Sequence, residues 1–233
     1  MWGQGMLHTA KAAQPFSFLK NLSDSEWHDL QSIGYENAYK KHTYVFRAND
    51  LNNVLYFLIE GRVKITRLSP QGRELIQWFC MPGEIFGLSQ DTATQHRGLF
   101  AQAITHARLL CIQKAEFEQF LLANPRIALL IIKQLSTRLH TLGDMLMNVA
   151  NDDAHGRFIK LLQRLSDQYG QQLDDGIHID LYLTHQELAD MIGVCRQTIS
   201  SMIGQLKRQG IINTTRKGIH IPSLLALKQL PTH

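Results

Sequence analysis

Cysteine is scarce in this sequence. The 233 residues include only Cys80, Cys111 and Cys195, an odd number at wide spacing. This pattern fits neither a disulfide framework nor a C-x-x-C metal site. We therefore expect a reducing, cytoplasmic environment, and the sequence leaves open whether any of the three thiols senses redox state.

Long apolar runs are also lacking. No stretch approaches the roughly 20 apolar residues that cross a bilayer. The segment from Met1 to Pro15 has no basic region followed by an apolar core, so it does not resemble a secretion signal. The sequence predicts neither export nor a membrane partner.

Acidic residues are absent after Asp190, although the formal net charge of the whole chain is only +4. The basic residues beyond that point are Arg196, Lys207, Arg208, Arg216, Lys217 and Lys228. Such a basic end indicates a folded surface that faces a polyanion. A solvated basic face is the equal alternative on charge alone.

No His-x-His pair occurs anywhere in the chain. Metal-dependent dioxygenases and isomerases built on β-rolls need such a pair, together with a carboxylate and a further histidine. We therefore expect no catalytic residue, no protein metal site and no enzyme.

The N-terminal region, residues 1–123, is rich in short β-type runs. They are Tyr44 to Phe46, Val54 to Ile59, Val63 to Leu68, Leu75 to Cys80, Phe100 to Ile104 and Leu109 to Ile112. Short strands at this spacing predict an antiparallel sandwich or roll, closed by a short helix around Lys114 to Leu122. Arg62, Lys64 and Thr66 alternate with Val63 and Ile65, which predicts one wet face and one buried face.

Residues 124–150 form the second segment and predict one long helix that starts at Pro125. Apolar residues repeat along it at alternating spacings of four and three: Ala128, Ile132, Leu135, Leu139, Leu142, Leu146 and Val149. This heptad seam favours a partner helix and hence a homodimer, the alternative being burial within one subunit. A second stripe, with Ile127, Leu130 and Ile131, is expected to pack on the roll.

Residues 151–233 form the third segment, which opens on a polar hinge at Asn151 to Asp153. An amphipathic helix follows, with Phe158, Leu161, Leu162 and Leu165 on one face. A polar loop from Gly170 to Gly176 and a strand with Ile177, Ile179 and Leu181 come next.

A helix-turn-helix outline occupies the end of the chain. Thr184 and Glu187 form a capping box, and the helix from Gln186 to Ile192 stops at Gly193. A second helix runs from Arg196 to Gln209, and a β-hairpin wing spans Ile211 to Ile221. The second helix of this motif presents its first residues to the major groove. The candidate DNA-binding residues are Thr184, Arg196, Gln197, Ser200, Ser201, Arg216 and Lys217.

These motifs resemble those of the cyclic-AMP receptor protein and FNR family of bacterial regulators, from about Phe18 to Pro222. The most specific matches are the run from Leu183 to Ala189, the run from Gly193 to Ser200, and the glycines Gly61, Gly72 and Gly83. The resemblance implies an α+β chain: a double-stranded β-helix (jelly-roll) sensor, a dimerisation helix and a winged helix-turn-helix. It also implies a dimer on an inverted repeat of double-stranded DNA, with RNA polymerase as partner if the protein activates. A protein-interaction adaptor would leave the basic wing unexplained.

The effector is less defined. Cyclic-nucleotide binders of this family hold the phosphate with an arginine and a following serine, and the ribose with a glutamate after a glycine. The matching positions here are Arg97, Gly98, Gly87 and Leu88, and Leu142 with Gly143 falls where the long helix touches the base. A ribose hydroxyl buried against Leu88 would lose an acceptor, at roughly 1–3 kcal/mol. This pattern argues against cyclic AMP and leaves Arg97 to another anion or to a structural ion pair.

Other cofactors of the family are not specified by the sequence either. No cysteine precedes Cys80, which argues against an iron–sulfur cluster. The recognition run resembles that of carbon-monoxide-sensing haem proteins, but their haem-ligand positions are Gly87 and Ser89 here. His8, His42, His96 and His106 are haem-ligand candidates by residue type alone. A nitrogen-oxide or redox regulator stays open.

Overall fold

The computed structural model describes residues 18–88, 96–181, 183–215 and 218–232. The described residues divide between Met147 and Asn148 into two compact units, here called the roll unit and the C-terminal unit. Within the described ranges, no helix is both long and apolar enough to cross a membrane.

The roll unit holds eight strands in two four-stranded antiparallel sheets. The strands are β1 (Gly34–Tyr39), β2 (Tyr44–Phe46), β3 (Val54–Glu60), β4 (Val63–Leu68), β5 (Glu74–Cys80), β6 (Ile85–Phe86), β7 (Phe100–Ala103) and β8 (Ala107–Gln113). One sheet has the order β1-β8-β3-β6 and the other has the order β2-β7-β4-β5. Its helices are a short 3-10 turn (Leu19–Asn21), α1 (Asp24–Ser32), α2 (Lys114–Ala123) and α3 (Pro125–Asn151), of which α3 continues past the division.

Alternation along β3 and β8 builds two cores on opposite faces of one sheet. Tyr56 and Leu58 of β3 pack between the two sheets, with Ala101 and Ala103 of the other sheet. Leu55 and Phe57, their neighbours on the same strand, pack instead with aromatic and aliphatic residues of the helices. The roll is therefore closed on one side by helices and on the other by its own second sheet, which confirms the predicted jelly-roll sensor fold.

The sheets of the roll differ from expectation in several places, and the short strand β6 was not among the predicted runs. Strand β1 was not predicted, because GYENAY shows no apolar alternation; it pairs along its whole length with β8. The predicted wet face of β4 is wrong at Lys64 and Thr66, which are buried. The Lys64 ammonium lies 3.1 Å from the Glu74 carboxylate, so an ion pair compensates its burial.

Helix α3 shows two contrasting faces. Ile127, Leu130 and Ile131 are buried against the roll, as predicted. The predicted seam lies on a neighbouring face of the helix, and its six large members are exposed: Ile132, Leu135, Leu139, Leu142, Leu146 and Val149. An apolar stripe this long is therefore left largely uncovered by the described part of its own chain.

The C-terminal unit holds α4 (Ala154–Tyr169), β9 (Gly170–Leu173), β10 (Gly176–Ile179), α5 (His185–Ile192), α6 (Arg196–Arg208), β11 (Asn213–Thr215), β12 (Gly218–Ile221) and α7 (Leu224–Lys228). Its strands form one sheet in the order β11-β12-β10-β9. The segment predicted as a polar loop from Gly170 to Gly176 is in fact one arm of a hairpin, because β9 pairs with β10. Phe158, Leu161, Leu162 and Leu165 of α4 are fully buried, or nearly so, as the amphipathic pattern predicted.

Candidate nucleic-acid interface and sensor pocket

The start of α5 is fixed by its capping box. The Thr184 backbone N–H donates to Glu187 Oε2 at 2.8 Å, and the Glu187 N–H donates to Thr184 Oγ1 at 3.1 Å. Gly193 ends the helix in the left-handed region, at φ 73°, where a residue with a Cβ would be strained. These local bonds set the turn that leads into α6.

Helix α6 separates a buried face from an exposed polar face. Ile199, Met202, Ile203 and Leu206 are buried, so they hold the helix against its own unit. Four of the predicted DNA-reading residues lie together on the opposite, exposed side: Arg196, Gln197, Ser200 and Ser201. Their spacing places them on one helical face near the N-terminus of the helix.

A groove of about 550 Å³ lies between α5, α6 and the hairpin wing. Thr184, His185 and Arg196 line one part of it, and Thr214 and Thr215 of β11 line another. Arg216 and Lys217, the predicted phosphate contacts of the wing, lie outside the described residues.

One contact of His185, beside this groove, was not predicted from the sequence. The His185 Nδ1 atom lies 2.8 Å from Ser200 Oγ, and Ser200 Oγ donates to the Arg196 carbonyl oxygen at 3.0 Å. His185 follows the cap of one helix and Ser200 lies in the next, so no local pattern signals the pair.

The three thiols fall into two environments. Cys80 and Cys111 are buried in the roll unit, and burial raises the pKa of both, that of Cys111 to about 11. Cys195 is exposed at the N-cap of α6, with Sγ 3.1 Å from Thr198 Oγ1. That hydrogen bond lowers the pKa of the Cys195 thiol.

Arg97 lies in an aromatic cage of the roll unit. It is 4 % exposed, and its guanidinium carbon stands 3.9 Å from the centre of the Phe46 ring and 5.4 Å from that of Tyr56. Nη2 donates to the Val54 carbonyl at 2.6 Å, and burial lowers the pKa of the guanidinium. The cation is thus held by π-faces and a carbonyl.

An apolar pocket of about 200 Å³ opens beside this cage. Its lining comes from the β2-β7-β4-β5 sheet, the segment that precedes β7, the turn after β6 and helix α3: Phe46, Ile65, Trp78, Gly87, Leu88, Leu99, Leu135, Arg138, Leu139 and Leu142. The structure therefore brings three of the five predicted effector residues, Gly87, Leu88 and Leu142, to one cavity. Arg97 lies next to Gly87, with Nη1 3.2 Å from the place of a Cβ on that glycine, whereas Gly98 is exposed.

Trp78 and Arg138 of this pocket were not predicted. The Arg138 guanidinium lies 5.0 Å from the Trp78 ring centre and donates to the Ile85 carbonyl at 2.9 Å. The Trp78 indole nitrogen is buried and has no hydrogen-bond partner within the described residues. The pocket is therefore largely apolar, and its lining residues include the unpartnered Trp78 indole N–H.

The histidines proposed as haem ligands by residue type do not gather at this pocket. His42 and His106 are exposed, His96 is half-buried, and His8 and Ser89 lie outside the described residues. Across the described ranges, no group of three or more histidine, cysteine, aspartate or glutamate side chains is arranged to hold a metal ion.

The fold and the two sites define a transcription regulator with an N-terminal sensor and a C-terminal helix-turn-helix DNA-binding domain. Two family models match the chain: a cyclic nucleotide-binding domain over residues 36–124 and a Crp-like helix-turn-helix domain over residues 156–230. The chain belongs to the CRP/FNR family of transcription regulators. Regulators of this family bind DNA and act as dimers.

Relatives with different names share this architecture. The "Anaerobic regulatory protein" of Bacillus subtilis is 29 % identical over 84 % of this chain and 83 % of its own. The "Global nitrogen regulator" of Synechocystis is 32 % identical over 79 % of this chain and 83 % of its own. A solved structure of a CooA mutant from Carboxydothermus hydrogenoformans covers 94 % of this chain and 96 % of its own, with a TM-score of 0.78 at 23 % identity, which shows the same fold.

Proposed function

We propose that this protein is a homodimer that reads an inverted repeat in double-stranded DNA through the first residues of α6 in each subunit. The observation that carries the proposal is the division of α6 into a buried apolar face and an exposed polar face with Arg196 and Gln197. A helix held in this way can enter the major groove without disturbing its own unit.

Base readout follows from the chemistry of these side chains. Arg196 offers two donors to guanine O6 and N7, and Gln197 can pair with adenine N6 and N7. Ser201 is short and less selective. Thr184, together with Arg216 and Lys217 of the wing, is assigned to phosphate, where contacts hold the protein on DNA without specifying sequence.

Dimerisation is assigned to the exposed seam of α3. Leu139 is 72 % exposed and Leu146 is 70 % exposed in the single chain, although both are large and apolar. Covering such a stripe with the same helix of a second copy buries it on both sides. Twofold symmetry then places the half-sites about 34 Å apart, one turn of DNA.

We assign a small, largely apolar effector to the pocket beside Trp78 and Leu88 as the ligand of the sensor. The lining supports this class because Arg138 is engaged by Ile85 and Trp78, and Leu88 supplies no acceptor for a ribose. Binding there would act on Leu139 and Leu142, which line the pocket and also belong to the seam. For a regulator of this kind we expect a cytoplasmic location, with RNA polymerase as partner if it activates.

A redox signal at α6 is the alternative means of control, and Cys195 favours it. This thiol is exposed, hydrogen-bonded to Thr198 and next to Arg196. Oxidation there would add bulk and charge at the reading face. A haem-based gas sensor has no such supporting contact among the described residues.

Selection from a pool of randomised duplexes tests the proposed reader. Wild type should recover an inverted repeat with a guanine in each half-site, and Arg196→Ala should relax that guanine by about 1–3 kcal/mol. Arg216→Ala and Lys217→Ala should weaken all sequences alike and flatten the salt dependence. Recovery of no inverted repeat by wild type would refute the assignment.

Mass spectrometry of protein purified from its own host tests the pocket. Wild type should carry a small apolar molecule that is released on unfolding, whereas Leu88→Trp, which fills the pocket, should not. Leu75→Trp, at an exposed position of β5, is the matched control and should retain the molecule. A ligand that survives in Leu88→Trp would place the effector elsewhere.

A further inference from the structure

The His185–Ser200 contact restricts what the reading helix can recognise. Resting on the proposed reading role of α6, we propose that His185 is a positioning residue that fixes the Ser200 hydroxyl as a hydrogen-bond acceptor. Ser200 then selects a base that presents a donor in the major groove.

The direction of each bond follows from the number of protons. A serine hydroxyl has one proton to donate and two lone pairs to accept with. The Arg196 carbonyl oxygen can only accept, so the 3.0 Å bond uses the Ser200 proton. The 2.8 Å contact must then be a bond from a protonated His185 Nδ1 to Ser200 Oγ.

Only one lone pair of Ser200 is left for DNA. In the major groove the donors are the N6 amino group of adenine and the N4 amino group of cytosine, whereas guanine and thymine offer acceptors to a side chain at this position. Ser200 therefore favours adenine or cytosine on the strand it faces. Without His185, no donor holds the hydroxyl oxygen in this rotamer, so rotation about χ1 can break its bond to the Arg196 carbonyl and let the proton go to guanine or thymine instead.

The contact also connects two elements. His185 lies in the first turn of α5, where the Thr184–Glu187 capping box fixes the backbone. Ser200 lies on the exposed side of α6. The start of α5 therefore fixes the His185 ring, and the ring in turn positions the Ser200 side chain on α6.

Two variants of His185 distinguish a role in positioning the Ser200 hydroxyl from a role in packing alone. The amide nitrogen of Asn lies at the same number of bonds from Cβ as Nδ1, so His185→Asn keeps a donor for Ser200. The amide nitrogen of Gln lies one bond further out, as Nε2 does, so His185→Gln removes the donor at that place. Both side chains are polar amides on a half-exposed helix start, which makes them a matched pair.

The experiment is randomised-duplex selection with full-length wild type, His185→Gln, His185→Asn and Ser200→Ala. His185→Gln should lower the adenine or cytosine preference at one base pair of each half-site by about three- to tenfold, the worth of one hydrogen bond. Ser200→Ala should affect the same base pair, and His185→Asn should match wild type. An unchanged preference in His185→Gln, or equal behaviour of Gln and Asn, would overturn the proposal.

Nitrogen-15 NMR of the histidine rings gives a readout that does not depend on DNA. In its neutral form, the His185 ring of wild type should carry its proton on Nδ1. The resonance is assigned by its loss in His185→Gln. Protonation on Nε2 would refute the inference even if α6 reads DNA. Conversely, Nδ1 protonation in a wild type that selects no inverted repeat would refute the proposed function. That result would leave the His185–Ser200 contact supported.

Discussion

The proposed DNA-reading face and the proposed sensor pocket differ in the exposure of their polar groups. On α6, Arg196, Gln197 and Ser201 are exposed and directed by a helix whose other face is buried. In the roll unit, Arg97 and Arg138 are largely covered by aromatic rings, and each donates to a backbone carbonyl. The first site can offer new hydrogen bonds, whereas the second can offer mainly shape and apolar contact.

This difference explains why DNA binding is easier to infer from the sequence than the identity of the effector. A DNA reader recognises a partner of constant chemistry, so its side chains must stay exposed in a standard frame. The ligand of a sensor varies between proteins, so its arginines can instead make contacts within the protein itself. The family fold is therefore shared by relatives named for anaerobic and for nitrogen regulation, and it does not name the effector of this chain.

Local patterns predicted much of the fold, and contacts between distant residues account for what they missed. Thr184 and Glu187 of the capping box are only three positions apart, so its chemistry is visible in the sequence. The cage around Arg97 needs Phe46 of β2 and Tyr56 of β3, and no spacing rule connects these residues. Burial of Lys64 likewise depends on Glu74 across a hairpin, which overrides the alternation of its own strand.

The largest expected effect comes from breaking the seam of α3. Leu139→Glu with Leu142→Glu places buried like charges across the proposed interface, so we expect monomers by sedimentation velocity. Loss of the paired reading helices should weaken operator binding by more than about 100-fold.

Leu129→Glu is the control for this variant, because Leu129 is 58 % exposed on the same helix but lies off the seam. It should remain dimeric. A double mutant that still sediments as a dimer would show that the interface is elsewhere.

Cyclic AMP provides the next test of the contrast between the sites. Because Leu88 gives the ribose no acceptor and Arg97 is already engaged, calorimetry should show no binding of cyclic AMP at micromolar concentration. Tight stoichiometric binding that vanishes in Arg97→Ala would reverse this interpretation of the cage.

Thiol reactivity should also differ between the C-terminal unit, which holds Cys195, and the roll unit, which holds Cys80 and Cys111. Native protein should react with a thiol reagent at one cysteine, Cys195, at least about tenfold faster than at Cys80 and Cys111, because a thiolate is the nucleophile. The rate should rise with pH through a midpoint below the ordinary thiol value of 9.0.

Substitutions beside the thiol sharpen this measurement. Thr198→Val removes the hydrogen bond and should move the midpoint upward, while Cys195→Ser should abolish the fast phase. If mild peroxide weakens DNA binding equally in wild type and Cys195→Ser, redox control at this site is ruled out.

The smallest effect concerns two capping boxes, one in each unit. Ser23 and Glu26 cap α1 as Thr184 and Glu187 cap α5, but Glu26 also pairs with Arg126 of α3. The Arg126 guanidinium lowers the pKa of Glu26 from 4.5 to about 2. The ionised carboxylate therefore stabilises the folded roll unit above the unfolded pKa, and this contribution is lost as pH falls from about 4.5 to about 2.

Glu26→Gln should consequently destabilise the protein at pH 7 by no more than about 1 kcal/mol, because Arg126 is half exposed and water screens the pair. The difference from wild type should shrink as the unfolding is measured at progressively lower pH toward 2. Glu187→Gln makes the same change in the other capping box, where no ion pair to the carboxylate occurs among the described residues, and it serves as the comparison. A Glu26→Gln deficit that stays constant down to that pH would mean that the ion pair adds nothing to the cap.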